Sequence, residues 1–236
     1  MVNEQDLNAE IWNSYYTSLR DNYLFPNEYV VRSFLGTYPG LKMSHDFSGK
    51  KVCDISCGDG RNIVALHRFG LDVYATEISK EICEITMGKL SASDHRISAD
   101  IRVGNNQELP FEANMFDYLL SWNACYYMEN EASDFSKHVA EYARVSKPGA
   151  YLVCCVPAPG CFSLQGAELL ENNLIRLNAG QGKWGILTGS IYRQFRSFED
   201  IEETFGSHFE NFQKCTIKDD CFGLPLEYFV FVCQRK

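Results

Sequence analysis

The spacing of apolar residues changes along the chain. Before residue 36 they recur every three or four positions. Leu7, Ile11, Tyr15 and Leu19 share one face of a helix predicted over 4–20. Tyr29, Val30, Phe34 and Leu35 line a second helix, which Pro26 is placed to start. From Lys51 short apolar runs alternate with helical stretches. KVCDI reads as a strand, SCGDG as a glycine-bearing turn, and RNIVALHRF as a helix stopped by Gly70. LDVYATEI is a second strand, and Ser79 is placed to cap the helix after it, with Glu81 and Glu84 near its positive end. IRVG and FDYLLSW follow as strands, then a helix over 133–146 ended by KPG, then the apolar strand AYLVCCVP. Alternating strands and helices, with strands apolar throughout, predict a parallel sheet covered on both faces.

After Pro159 the pattern loosens. Leu164, Ala167, Leu170, Leu174 and Leu177 predict a helix over 164–177, and NAGQGKWGILTGS predicts a loop or short hairpin. SFEDIEETFG is a helix capped by Ser197 and stopped by Gly206. FENFQKCTI and LEYFVFVCQ are closely linked and predict an antiparallel pair. The whole reads as one domain over 1–236, doubly wound α/β with about seven strands. Residues 1–49 form an N-terminal helical cap and 50–156 a ligand-binding core. Residues 157–195 are an insertion, and 196–236 hold the last helix and the strand pair.

Composition narrows the class. With 45% apolar residues the chain can bury a full core, and 22 basic against 31 acidic residues leave a net charge of −9. That charge disfavours nucleic acid and anionic membrane as partners. Ten cysteines come without a CxxC pair or a histidine at zinc-like spacing. They read as small core residues of a reduced, cytoplasmic protein without a metal site, with Cys154 and Cys155 pointing to opposite faces of a strand. The N-terminus, MVNEQDLNAEIW, is polar and acidic, unlike an export signal.

The turn Asp54-Ile-Ser-Cys-Gly-Asp-Gly60 carries the candidate chemistry. Gly58 and Gly60 let the backbone approach a ligand, and the following helix offers free N–H groups. Ile63 occupies the place of the third glycine of a dinucleotide fingerprint, and no GxxxxGK[ST] is present. Glu77 ends the next strand, where a carboxylate accepts paired hydrogen bonds from ribose hydroxyls. Taken singly, the turn also fits a structural bend, and Glu77 a solvated helix start.

The series VCDISCGDGRN, VYATEIS, VGNNQELPF, FDYLLSW and ARVSKPGAYLV resembles the ordered motifs of class I S-adenosylmethionine-dependent methyltransferases over roughly residues 50–156. The resemblance implies a Rossmann-like sheet of seven strands with the last antiparallel. It also implies S-adenosylmethionine as cofactor, S-adenosylhomocysteine as product, and a small-molecule acceptor. On it, Asp54 and the backbone of Ser56, Cys57 and Gly58 through Gly60 face the methionine end, with Asn62 behind them. Glu77 binds the ribose, Ile78 lies on the adenine, and Asn105, Asn106 and Gln107 meet the adenine edge. Ser121 places its backbone near the methionine amino group, beside Trp122. Two positions depart from the pattern. Ser56 replaces a glycine and is tolerable if its φ is negative; Asn105 replaces a common aspartate.

Methyl transfer needs alignment and exclusion of water more than a catalytic side chain, and the sequence names none. Asn123, Tyr126 and Tyr127 are candidates for the acceptor pocket, or else pack their loop. Trp12, Tyr15 and Tyr16 are candidates for a cover over the cofactor. Arg193 is placed to grip an anionic substrate group, or is solvated like Arg196. His138 and His67 are expected on helix surfaces, with Phe135, Val139 and Ala143 as the buried face of the helix holding His138. The favoured activity is transfer to oxygen or nitrogen of a small molecule. The alternatives are a non-catalytic cofactor-binding module and, on the YxxxK spacing of Tyr38 and Lys42, a nicotinamide-dependent oxidoreductase.

Overall fold

A computed structural model of the chain describes residues 4–18, 24–92, 97–178 and 187–236. Seven strands form the main sheet: β1 (Lys51–Asp54), β2 (Asp72–Glu77), β3 (Asp100–Val103), β4 (Phe116–Trp122), β6 (Ser146–Pro157), β10 (Phe209–Cys221) and β11 (Leu224–Arg235). Their order is β10-β11-β6-β4-β1-β2-β3. β11 runs antiparallel to both its neighbours, so β10 runs with the other five. The strand order reverses around β1 and β4, and the carboxyl ends there open a crevice where ligands bind in such sheets.

Alternation along the strands feeds two apolar layers. Cys53, Leu119, Leu152 and Cys154 face one, with α5 (Ser136–Val145) and α6 (Phe198–Phe205) packed on it. Val52, Tyr118, Leu120 and Val153 face the other, which holds Val30 and Phe34 of α2 (Glu28–Leu35) and Ile63, Val64 and Leu66 of α3 (Arg61–Arg68). Cys154 and Cys155 fall in different clusters, because successive side chains of a strand point to opposite faces. Helix α1 (Glu4–Ser18) contacts α4 (Lys80–Ala92), and Ser79 caps α4 by accepting from Ile82 N–H.

The structure corrects several expectations. Asn27, not Pro26, caps α2, because its side chain accepts from Tyr29 N–H while Pro26 stays outside. The helix over 133–146 shortens to α5, and KPG is absorbed into β6. There Phe116 pairs with Ser146 but Tyr118 with Tyr151, an irregularity that accommodates Gly149 at φ +78°.

No helix spans 164–177. Gly166, Asn172 and Asn173 all hold positive φ, which a right-handed helix excludes. The segment instead forms a 3-10 turn (Phe162–Leu164), β7 (Glu168–Leu169) and β8 (Leu174–Arg176). With β5 (Tyr127–Met128) and β9 (Ile191–Arg193) these make a second, antiparallel sheet in the order β5-β9-β8-β7. Most of the loop or hairpin expected over 178–190, namely 179–186, lies outside the described residues.

His138 is fully buried, not on the surface of α5. It lies three residues after Phe135 and four before Tyr142, both buried, and so belongs to the same helical face.

Candidate active site

β1 delivers Asp54, buried, to the mouth of the crevice. The chain then turns through Ser56, Gly58 and Gly60, all at positive φ, before α3 begins. The turn is tied to β2 and β4 by its backbone. Ile55 N–H donates to Leu120 O at 2.9 Å, Cys57 N–H to Thr76 O at 3.0 Å, and Gly58 N–H to Glu77 Oε1 at 2.6 Å. Thr86 Oγ1 of α4 donates to Gly58 O at 2.5 Å. A Cβ on Gly58 would collide with the Tyr16 hydroxyl of α1, so glycine is required there by both φ and space. Ser56 departs from its expected conformation: its φ is +55°, on the side that favours glycine.

Carboxylates crowd this mouth. Burial, then the charges of Glu77 and Asp59, push the Asp54 carboxyl well above its ordinary range, and its Oδ2 has no hydrogen-bond partner. Burial also raises Glu77, against the backbone N–H groups of Ile78 and Gly58 that stabilise its charge. Asp59 is held by Arg61 through bonds of 2.9 and 2.8 Å. Tyr16, half-buried over the loop, has its phenol pushed well above the usual range by desolvation and by the charges of Glu77 and Asp59.

The loops after β3 and β4 complete the crevice. Asn105 Oδ1 accepts from the N–H groups of Gln107 and Glu108 at 2.8 and 2.9 Å. Asn106 donates to Ala124 O at 3.1 Å and accepts from the Tyr142 hydroxyl at 2.6 Å. Both line the cavity, but these groups brace the two loops against each other instead of projecting as free acceptors. The crevice continues into a single cavity of about 620 Å³ whose far wall is aromatic. Tyr126 stacks on Tyr127 at 4.9 Å, and Tyr192 of β9 meets both edge-on at 4.8 and 4.6 Å. Trp12 of α1 abuts Tyr127 and stacks on Tyr16.

Glu129 follows this aromatic segment and lines the same cavity. Its Oε1 lies 3.6 Å from His138 Nε2, and its Oε2 is buried without a partner. His138 Nδ1 lies 3.0 Å from Cys125 O, a carbonyl that can only accept, so Nδ1 is the donor there. Burial of Glu129 opposes its charge, but hydrogen bonding and charge from His138, with backbone and Gln107 hydrogen bonds, together leave the carboxyl below its ordinary range.

The cofactor and acceptor candidates named from the sequence line this cavity except Gly60, Gln107, Ser121 and Arg193. Gly60 sits behind the loop against Thr86 and Leu90. Gln107 turns toward Glu129, and Ser121 Oγ is buried 3.3 Å from the Tyr142 hydroxyl. Arg193 does not await an anion. It is buried, pairs with Asp200 at 2.5 Å and bonds Thr204, tying β9 to α6. Sequence reasoning missed Glu129, Phe162, Tyr192 and Tyr228. Tyr192 reaches the cavity through β9, which pairs with β5, and Phe162 through the 3-10 turn packed on β11, placements that no local pattern signals.

Residues 53–154 match a family model described as a methyltransferase domain. Over 132 residues the chain is 31% identical to a phthiotriol/phenolphthiotriol dimycocerosates methyltransferase of Mycobacterium ulcerans, covering 52% of this chain and 43% of that one. Over 118 residues it is 29% identical to the demethylmenaquinone methyltransferase of Symbiobacterium thermophilum, covering 48% and 45%. The matched stretch thus spans under half the length of either relative. Among solved structures, the PH0226 protein of Pyrococcus horikoshii superposes with a TM-score of 0.63 at 18% identity, over 94% of this chain and 99% of that one.

Proposed function

We propose that the chain is a class I S-adenosylmethionine-dependent methyltransferase that methylates oxygen or nitrogen of a small molecule, a reading that the methyltransferase-domain match over residues 53–154 supports. The observation that carries the reading is one cavity shared by two different surfaces. At one end stand Asp54, Glu77 and the Gly58 loop, and at the other the aromatic wall around Tyr126 and Tyr127.

The residues fit the cofactor. Asp54 Oδ2, buried and unpartnered, needs a donor such as an ammonium group. Asp54 and the 56–58 backbone would hold the methionine end, Glu77 the ribose hydroxyls, and Ile78 the adenine face. When bound, S-adenosylmethionine supplies a methyl group already made electrophilic by the sulfonium. The protein's own task is then to align the acceptor and keep water out. Trp12, Tyr15 and Tyr16 of α1 close over the loop, and Tyr126, Tyr127 and Tyr192 wall the other side. The ten thiols, all unpaired, support a reducing cytoplasmic setting.

Calorimetric titration tests the cofactor assignment. S-adenosylhomocysteine is expected to bind, NAD not to bind, and Glu77→Gln to weaken the former by roughly tenfold or more, since a charge-assisted pair becomes a neutral one. Absence of S-adenosylhomocysteine binding would overturn the proposal. Incubation with labelled methyl donor and a metabolite extract then separates an enzyme from a binding module: a module leaves the extract unlabelled.

A further inference from the structure

Charge in the cavity is one-sided. Its described lining holds Asp54, Asp59, Glu77 and Glu129, and Arg61 is its one basic side chain. Arg61 is committed to Asp59, and Arg193 to Asp200. An anionic acceptor would therefore meet repulsion, with no free cation among the described lining residues to receive it. On the reading above, Asp54 and Glu77 serve the cofactor, which leaves Glu129 as the carboxylate on the acceptor side. Its Oε2 is buried with no hydrogen-bond partner, a state that costs free energy until a donor arrives. His138 engages the other oxygen from outside the cavity lining. In the same cavity, Tyr126, Tyr127 and Tyr192 present a set of aromatic rings. Such faces attract cations as well as flat apolar groups.

Resting on the methyltransferase reading, we propose that the acceptor is an amine on a flat apolar frame, held as its ammonium by Glu129 and the tyrosine rings of the same cavity. The step balances as follows. The ammonium gives one proton to solvent water, and the freed nitrogen lone pair forms the N–C bond. The S–C bond breaks with its electron pair passing to sulfur, so sulfonium becomes thioether. The product leaves as a secondary ammonium. Glu129 is thus the counter-ion that holds the nitrogen in place.

The test uses the full chain saturated with S-adenosylhomocysteine and three probes of one frame: 2-phenylethylamine, 2-phenylethanol and 3-phenylpropionate. By calorimetry the amine is expected to bind on the order of tenfold tighter than the alcohol, with the carboxylate weakest. Glu129→Gln should weaken the amine by a similar factor while leaving the alcohol and S-adenosylhomocysteine unchanged. Equal or tighter binding of alcohol or carboxylate, no binding of the amine, or indifference to Glu129→Gln would each overturn the assignment. The wild-type ranking stands without any variant. Failure of S-adenosylhomocysteine to bind is read separately, against the cofactor assignment.

Discussion

Ser56 holds φ +55° in a turn where its Cβ crowds the following carbonyl. For a residue with a side chain that conformation costs about 1–2 kcal/mol. Glycine removes the cost but loses more freedom on folding, by about 0.5–1 kcal/mol. The Ser56 N–H donates to Thr76 Oγ1 at 3.3 Å, a bond that glycine keeps. Ser56→Gly should therefore stabilise the protein by about 0.5–1 kcal/mol. For a chain of 236 residues, this raises the midpoint of thermal unfolding by roughly 1–4 °C. Differential scanning calorimetry reads it, with Ser56→Ala as control: alanine removes the hydroxyl but keeps the Cβ, so it should bring no gain. A midpoint lowered by glycine, or raised equally by alanine, would refute strain as the governing effect and assign it to the hydroxyl.

Three further outcomes follow from the site. Asp54 and Glu77 are raised by burial, so the native state keeps protons that the unfolded chain has released. Stability is full below the ordinary carboxylate range and declines as pH rises through the raised values. Urea unfolding from about pH 4 to about pH 8 should show this decline, and Asp54→Asn should flatten it. Gly58→Ala meets positive φ and the Tyr16 hydroxyl together and should cost more than the about 1–2 kcal/mol of strain alone. Adding Tyr16→Ala should shrink that cost without abolishing it, as a double-mutant cycle would measure. Arg193→Met leaves Asp200 unpaired and should destabilise by about 3 kcal/mol, with S-adenosylhomocysteine affinity unchanged in the folded protein.

The Gly58–Glu77 half of the cavity was legible because its constraints are local. A strand, a glycine turn and a helix must follow in order for Gly58 to meet Glu77, and each leaves its own period in the sequence. Ser56 shows where that legibility stops, since the residue identity suggested negative φ and the ties to Thr76 and Leu120 impose the opposite. The insertion was misread because its leucines recur at helical spacing while Gly166, Asn172 and Asn173 break the helix. His138 was assigned to the surface by residue type, although its spacing from Phe135 and Tyr142 put it on the buried face. Glu129 left no trace in the pattern, because only the approach of α5 gives it a partner.

The second sheet joins the two halves of the cavity through a narrow seam. Only Tyr127 with Tyr192 and Met128 with Ile191 pair between β5 and β9. The matched domain, 53–154, ends before the insertion that supplies Phe162 and Tyr192. A seam that small lets descent replace the aromatic wall while the crevice at Gly58 and Glu77 stays intact. A chimaera exchanging residues 160–193 at that seam is the natural unit for redirecting this scaffold.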